Sequence, residues 1–204
     1  LPAKSKSLIL PYNQIKSQVI EDKIFERKDF TTSGFPANEY ENCRFVNCNF
    51  HEVNLLNVTF RECTFDSCDF SLAGFKNTAF NSINFNNCKL LGVQFDDCNP
   101  FLFSVRFENC QLKLAVFYKV KLKKTKFINC NLQEVDFTEA DLTEATLDNC
   151  DLQRAIFHRT NLEKSDLRTS FLYSIDPEIN RIKKARFSRQ GVVGLLDKYG
   201  IVIE

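Results

Sequence analysis

Glycine and proline are scarce in this chain of 204 residues, which holds six of the first and five of the second. Neither is clustered, so the sequence has no low-complexity linker and no glycine-rich loop to cradle a phosphate. No apolar run is long enough to cross a membrane as a helix. Histidine occurs twice, as His51 and His158, and neither a metalloprotease motif nor a nucleophile elbow accompanies them. Methionine is absent, and with it any marker of the natural start. Leu1 to Ser7 carry two lysines, but the apolar stretch that follows, Leu8 to Leu10, is ended by Pro11 and makes a poor signal peptide. Charge of one sign is also missing: the formal net charge is +1. Even the segment from Phe25 to Asp97, with ten acidic and six basic residues, falls short of the charge density of a duplex, about one phosphate per 1.7 Å. Mimicry of DNA and direct binding of nucleic acid are therefore not expected.

What the chain has is a period of five. A large apolar residue, here called the centre, recurs at every fifth position from Phe25 to Phe95, with Tyr40, Leu55 and Leu90 among twelve phenylalanines. The period restarts at Leu102 and continues to Leu172, with five Phe and ten Leu. Two residues before a centre the sequence places something small, such as Val53, Ala73 or Ala140; eight of the nine cysteines take this slot, and Cys98 keeps its phase two residues before Pro100. The remaining three positions of each five are mostly polar or charged. Five matches neither the 3.6 of a helix nor the 2.0 of a strand, so conventional amphipathic elements are excluded over about 150 residues. A fixed short period of this kind specifies a solenoid.

The segments Ala140-Asp141-Leu142, Cys150-Asp151-Leu152, Cys130-Asn131-Leu132 and Cys68-Asp69-Phe70 resemble the repeat of the pentapeptide repeat family. The resemblance covers Phe25 to Leu172. It implies an all-β fold, a right-handed quadrilateral β-helix with one pentapeptide per side and four per coil. Thirty repeats then give about seven and a half coils, a rod on the order of 36 Å long at the usual strand spacing. The expected organisation is an N-terminal cap over 1–20, the β-helix over 21–175, and a C-terminal segment over 176–204. The seven-residue step between Phe95 and Leu102 predicts a register shift near 96–101, where a bulge or small loop leaves the wall.

Twenty residues per coil turns spacing into stacking. Cys43 and Cys63 fall in one column, Cys48, Cys68 and Cys88 in a second, and Cys110, Cys130 and Cys150 in a third. In these slots cysteine acts as a small buried apolar residue. Successive inward positions on different sides of a packed square do not converge on a tetrahedral ion, so no metal and no cofactor is expected. Parallel side chains about 4.8 Å apart are also poorly placed for disulfides. An odd number of free thiols points to a reducing, cytoplasmic location.

The same arithmetic accounts for the basic run Lys119, Lys121, Lys123, Lys124 and Lys126. Lys121 falls over Asp141, Lys119 over Glu139, Lys124 over Glu144 and then Lys164, and Glu134 over Arg154, a ladder of opposite charges on adjacent coils. Asn109, Asn129 and Asn149 stack likewise, at corners where their side chains are expected to bond to backbone. His51 and His158 point outward about five coils apart, and a convex rod lacks the enclosed cleft that tunes catalytic groups. The chain reads as a non-enzyme.

Function is then expected at the surface. Around the register shift, Phe101, Phe103, Leu114, Val116 and Tyr118 occupy outward positions and form the candidate partner surface. The alternative for Phe101 or Phe103 is to fold inward and plug the shift. The tail from Gly191 reads as a short amphipathic helix over Val192 to Tyr199, stopped by Gly200, and then a brief apolar strand. Part of it closes the last coil. Val192, Leu195, Leu196, Tyr199, Ile201 and Ile203 are the candidate interface with a second copy. The tail Leu195-Leu196-Asp197-Lys198-Tyr199-Gly200-Ile201-Val202-Ile203 also resembles the closing segment of the quinolone-resistance subfamily, rod-shaped dimers that bind DNA gyrase and topoisomerase IV. That resemblance implies a homodimer and a type II topoisomerase partner. The chain departs from the subfamily in having one two-residue insertion where two projecting loops are common, and in its near-neutral charge. The alternative function is a structural or regulatory rod whose partner is unrelated to topoisomerases.

Overall fold

The computed structural model describes residues 19–35 and 38–202. Most of the expected N-terminal cap lies outside these residues. The chain winds into a right-handed parallel β-helix of square cross-section, and each pentapeptide supplies one wall of a coil. Eleven short strands are regular: β1 (Val19–Glu21), β2 (Ile24–Glu26), β3 (Glu39–Glu41), β4 (Arg44–Val46), β5 (Thr59–Arg61), β6 (Thr64–Asp66), β7 (Ala79–Asn81), β8 (Ile83–Asn86), β9 (Val105–Glu108), β10 (Lys126–Ile128) and β11 (Thr146–Asp148). The first wall holds the sheet β1-β3-β5-β7, and the second holds all the other strands in one seven-stranded sheet. The third and fourth walls are built from tight turns joined by single parallel bridges, such as Asn49 to Asp69 and Val116 to Asp136. One helical turn, Phe30–Ser33, capped by Asp29, interrupts the third wall near its start.

Packing explains why the centres are large. Rings stack along the rod, with Phe45 over Phe65 at 4.8 Å between centroids and Phe95 over Phe117 at 4.6 Å. Around each corner they meet edge to face, as Phe65 and Phe70 do at 87°. Both geometries suit the aromatic quadrupole. The third residue of most pentapeptides counted from the centre turns the corner in the left-handed region, for example Asn47 (φ 53°) and Glu134 (φ 57°). Asparagine tolerates that conformation best, so many corners carry it.

The small slot has a chemical pattern. After the turn walls it is mostly Val or Ala, and the backbone closes on itself, as Ala73 N–H does on the Phe70 carbonyl at 2.9 Å. After the strand walls it is mostly cysteine, and the thiol donates to the carbonyl of a centre one coil earlier: Cys63 to Tyr40 at 3.5 Å and Cys68 to Phe45 at 3.4 Å. Ser170 makes the same bond to Leu147 at 2.8 Å. Cysteine is thus a buried donor as well as a small apolar group. All nine cysteines are free and buried.

Two expected centres are not in the core. Leu102 and Leu172 are 59% and 60% exposed, both with φ near +57°. At the first, the original register runs one pentapeptide further than expected, with Cys98 in the small slot, Pro100 at the centre position and Leu102 at the corner. The extra residues are Phe103 and Ser104, and they lengthen the pairings that span them from 20 residues to 22, as in Phe85 with Phe107 and Lys89 with Gln111, before the step returns to 20, as in Phe107 with Phe127. At the second, the coil is ending, so Leu172 turns outward while Tyr173 and Ile175 fill the interior.

The shift also merges the cysteine columns. Cys110 stands 22 residues after Cys88, which is one coil across the insertion. Cys48, Cys68, Cys88, Cys110, Cys130 and Cys150 therefore form a single file along one corner, rather than two files of three.

Candidate functional site: the seam and the C-terminal end

Proline at a centre position has a local consequence. It carries no N–H, so it cannot donate to the next coil. Among the described residues, no backbone hydrogen bond or bridge joins residues 99–102 to 119–124, although the second, third and fourth walls continue across the shift. The first wall is therefore open at this level. The gap is a cleft of about 180 Å³ lined by Phe95, Asp96, Cys98, Pro100, Phe103, Tyr118, Lys119, Val120 and Lys121.

The structure resolves the two alternatives for the extra aromatics. Phe103 is half-buried, its ring 6.2 Å from Phe95 and 6.5 Å from Phe80, and it forms part of the cleft floor. Phe101 is 74% exposed at the rim, its N–H held by the Asn99 side chain at 2.9 Å. Tyr118 lies on the opposite lip with the Lys119 ammonium 4.6 Å from its ring centroid. Burial, together with the nearby carboxylates of Asp97 and Asp136, raises the Asp96 pKa above the ordinary carboxylate value. The cleft thus joins an apolar floor to one carboxylate and two ammonium groups.

Val116 and Leu114 lie elsewhere. Val116 is half-buried on the fourth wall, bridged to Gln94 and Asp136. Leu114 is an exposed corner residue with φ 62°, in file with Leu72 and Gly92. Leu72 lies across Gly92, so a Cβ there would sit 3.1 Å from the leucine methyl. With Leu91 they form an apolar corner that sequence reasoning missed. Its signal is leucine at corner positions that otherwise carry polar or charged residues, such as Asn, Glu, Lys, Ser or Arg.

The polar ladders exist with altered partners. Lys119 pairs with Glu139 at 3.6 Å, and Glu144 accepts both Lys124 and Lys164 at 3.7 and 3.2 Å. Asp141, however, is met by Lys123 at 3.3 Å rather than by Lys121, and Glu134 by Lys113 at 3.2 Å rather than by Arg154. The cause is side-chain direction: the residue two beyond the bridged position reaches back over its neighbour. Asn149 donates to Asn129, Asn129 to Asn109 and Asn109 to Asn87, so the asparagines bond to one another instead of to backbone. His51 is exposed and 3.5 Å from Glu52, and His158 is exposed on a distant coil.

The C-terminal end closes differently from expectation. Two short 3-10 turns, Gly191–Leu195 and Asp197–Tyr199, replace the expected helix. Gly200 ends them at φ 59°, and residues 201–202 form no strand. Ile203 lies outside the described residues. Close approach to Tyr173 requires the two glycines here, since a Cβ on Gly191 or Gly194 would lie 2.1 Å from the Tyr173 hydroxyl or carbonyl oxygen. Leu195 is half-buried against the core, whereas Val192, Leu196, Tyr199 and Ile201 are exposed. Lys198 bonds to Asp176 at 2.8 Å and to Glu178 at 2.6 Å, tying the tail to the loop after Ile175. Between tail and last coil lies an open groove of about 570 Å³, lined in part by Phe171, Leu172, Tyr173 and Val193.

A family model for the pentapeptide repeat region matches residues 20–99 and 101–175. No curated protein matches the chain. Among solved structures, full-length QnrB1, described as a plasmid-mediated fluoroquinolone resistance protein, is 19% identical with a TM-score of 0.51, over 90% of this chain and 100% of that one. HetL, a pentapeptide repeat protein involved in heterocyst differentiation regulation from the cyanobacterium Nostoc sp. strain PCC 7120, is 13% identical with a TM-score of 0.30, over 80% and 88%. At 19% identity the likeness to QnrB1 speaks to the fold alone.

Proposed function

Because the chain belongs to the pentapeptide repeat family, and most of its sequence is committed to building the rod, we propose that it is a non-catalytic protein-interaction module that docks its partner at the seam. The observation that carries this reading is the break in the first wall. There alone among the described residues an opened ladder, a projecting Phe101 and an apolar slot beneath it coincide. At about 180 Å³ the slot is smaller than the 300–1,000 Å³ typical of small-ligand sites, and it suits one inserted side chain of a protein partner. Asp96, Lys119 and Lys121 supply polar selection at its rim.

The partner proposed is a type II topoisomerase, DNA gyrase or topoisomerase IV. Support comes from the resemblance of the tail to the quinolone-resistance subfamily. The nine free thiols support a reducing, cytoplasmic setting. A supercoiling assay with purified gyrase, with and without ciprofloxacin, tests the reading across a titration of this protein. Rescue from the drug or inhibition at low micromolar concentration is expected, with loss of effect in Phe101→Ser or Tyr118→Ser. No effect at any concentration would favour a rod with a different partner, a reading to which the near-neutral charge and self-paired ladders already lend weight.

Homodimerisation through the C-terminus is the second part of the proposal. Val192, Leu196, Tyr199 and Ile201 offer an apolar end surface beside the groove at Phe171 and Leu172. Leu195 faces the core and serves the cap. Leu196→Asp should therefore give a folded monomer by sedimentation, whereas Leu195→Asp should impair folding of the end itself.

A further inference from the structure

The single file of six cysteines is a set of nucleophilic groups that the seam does not use. Each sulfur except that of Cys130 donates to a centre carbonyl one coil earlier, at 3.3–3.5 Å, and Cys48, Cys68, Cys88, Cys110, Cys130 and Cys150 each also contact the carbonyl two residues before, at 3.2–3.5 Å. Such repeated contacts place the sulfurs by the same translation as the coils. On the adjacent wall that translation is seen directly, as the 4.7–5.4 Å between stacked rings from Phe25 through Phe107.

We propose that adjacent thiols of this file form linear two-coordinate sites for a soft divalent cation of the mercuric type. A metal–thiolate bond is about 2.3 Å, so a linear S–M–S unit spans about 4.6 Å, close to the 4.7–4.9 Å between neighbouring strands. Tetrahedral ions are excluded by the same geometry: no three His, Cys, Asp or Glu side chains among the described residues converge on one point. Charge selects the valence. A divalent cation with two thiolates is neutral, whereas a monovalent one leaves a net negative charge in an apolar interior, which is costly. Soft thiolate ligands favour soft cations in turn. On binding, two S–H bonds break, two metal–sulfur bonds form and two protons leave to solvent, with no change in oxidation state. The carbonyls lose the thiol donors but keep their backbone setting, as they do beside the apolar Ile83 and Val105 of the neighbouring file.

Six sulfurs in file make three such pairs, and Cys43 with Cys63 makes one more. The test is a titration of the reduced full chain with mercuric chloride, following the sulfur-to-metal charge-transfer absorption, circular dichroism and native mass. Four ions per chain are expected, with the β-helix spectrum retained and X-ray absorption showing two sulfur neighbours per metal. Replacing Cys68 and Cys130 with alanine leaves only Cys88 and Cys110 adjacent in the file. Its capacity should then fall from three ions to one, not to the two that four independent thiols would give. Cys98→Ala, outside the file, should change nothing. Uptake proportional to thiol number, or binding only as the spectrum collapses, would overturn the proposal; the wild-type coordination number decides the matter if the double variant does not fold.

Discussion

Leu102 shows how a single backbone angle separates two readings of one residue. As a core centre, its truncation would cost about 2–5 kcal/mol. As an exposed corner with φ 56°, it is strained by its own Cβ, and glycine relieves that strain. Leu102→Gly should therefore leave the urea midpoint unchanged or raise it slightly. Phe65→Ala, in the middle of the ring stack, should lower stability by about 3–5 kcal/mol. The sequence displays both residues as large and apolar at period five. It does not display which of Phe101, Leu102 and Phe103 turns inward, because all three are apolar and the choice rests on how the two surplus residues are absorbed. The thiols follow the same rule. Their common slot is legible in the sequence, but their role as donors to centre carbonyls appears only when strand walls and turn walls are told apart. Burial raises several of them, with Cys63 pushed up to about 12 and Cys88 and Cys98 well above the ordinary value, whereas hydrogen bonds from the neighbouring thiols of the file lower Cys68 and Cys130.

The C-terminal cap is the element where local signals misled. Val192 to Tyr199 has helical amphipathicity, yet Gly191 and Gly194 are needed small for contact with Tyr173, and the chain compacts into 3-10 turns. Gly194→Ala should cost about 1–3 kcal/mol through overpacking, read as a lower melting temperature. The cap also carries a pH dependence. Hydrogen bonds from Lys198 lower the pKa values of Asp176 and Glu178 below their ordinary values near 4. Depressed carboxylates contribute stability above their unfolded pKa and lose it as the pH falls through the folded one. Lys198→Met should therefore reduce the melting temperature at pH 7, and the difference from the parent should shrink at pH 3.

At the scale of the molecule, the described part of the rod past the helical turn Phe30–Ser33 is regular except for the fault at Phe103 and Ser104. Deleting Phe103 and Ser104 should restore the 20-residue step along the whole chain and retain the β-helix spectrum. It should also narrow the cleft and abolish any effect on gyrase supercoiling. Loss of the fold on deletion would mean that the fault is a structural necessity rather than a surface. The amino-acid sequence by itself determined the period, the alternation of large centre and small slot, and hence a four-sided solenoid, because each pentapeptide meets the same steric demand wherever it lies. Only the tertiary structure decided which groups meet across coils. Stacking depends on the exact number of residues per turn of the rod, and because the wall absorbs the two inserted residues within one coil, the six thiols stay in one file. The same insertion, with a proline at a centre position, opened a wall and left Leu102 outside.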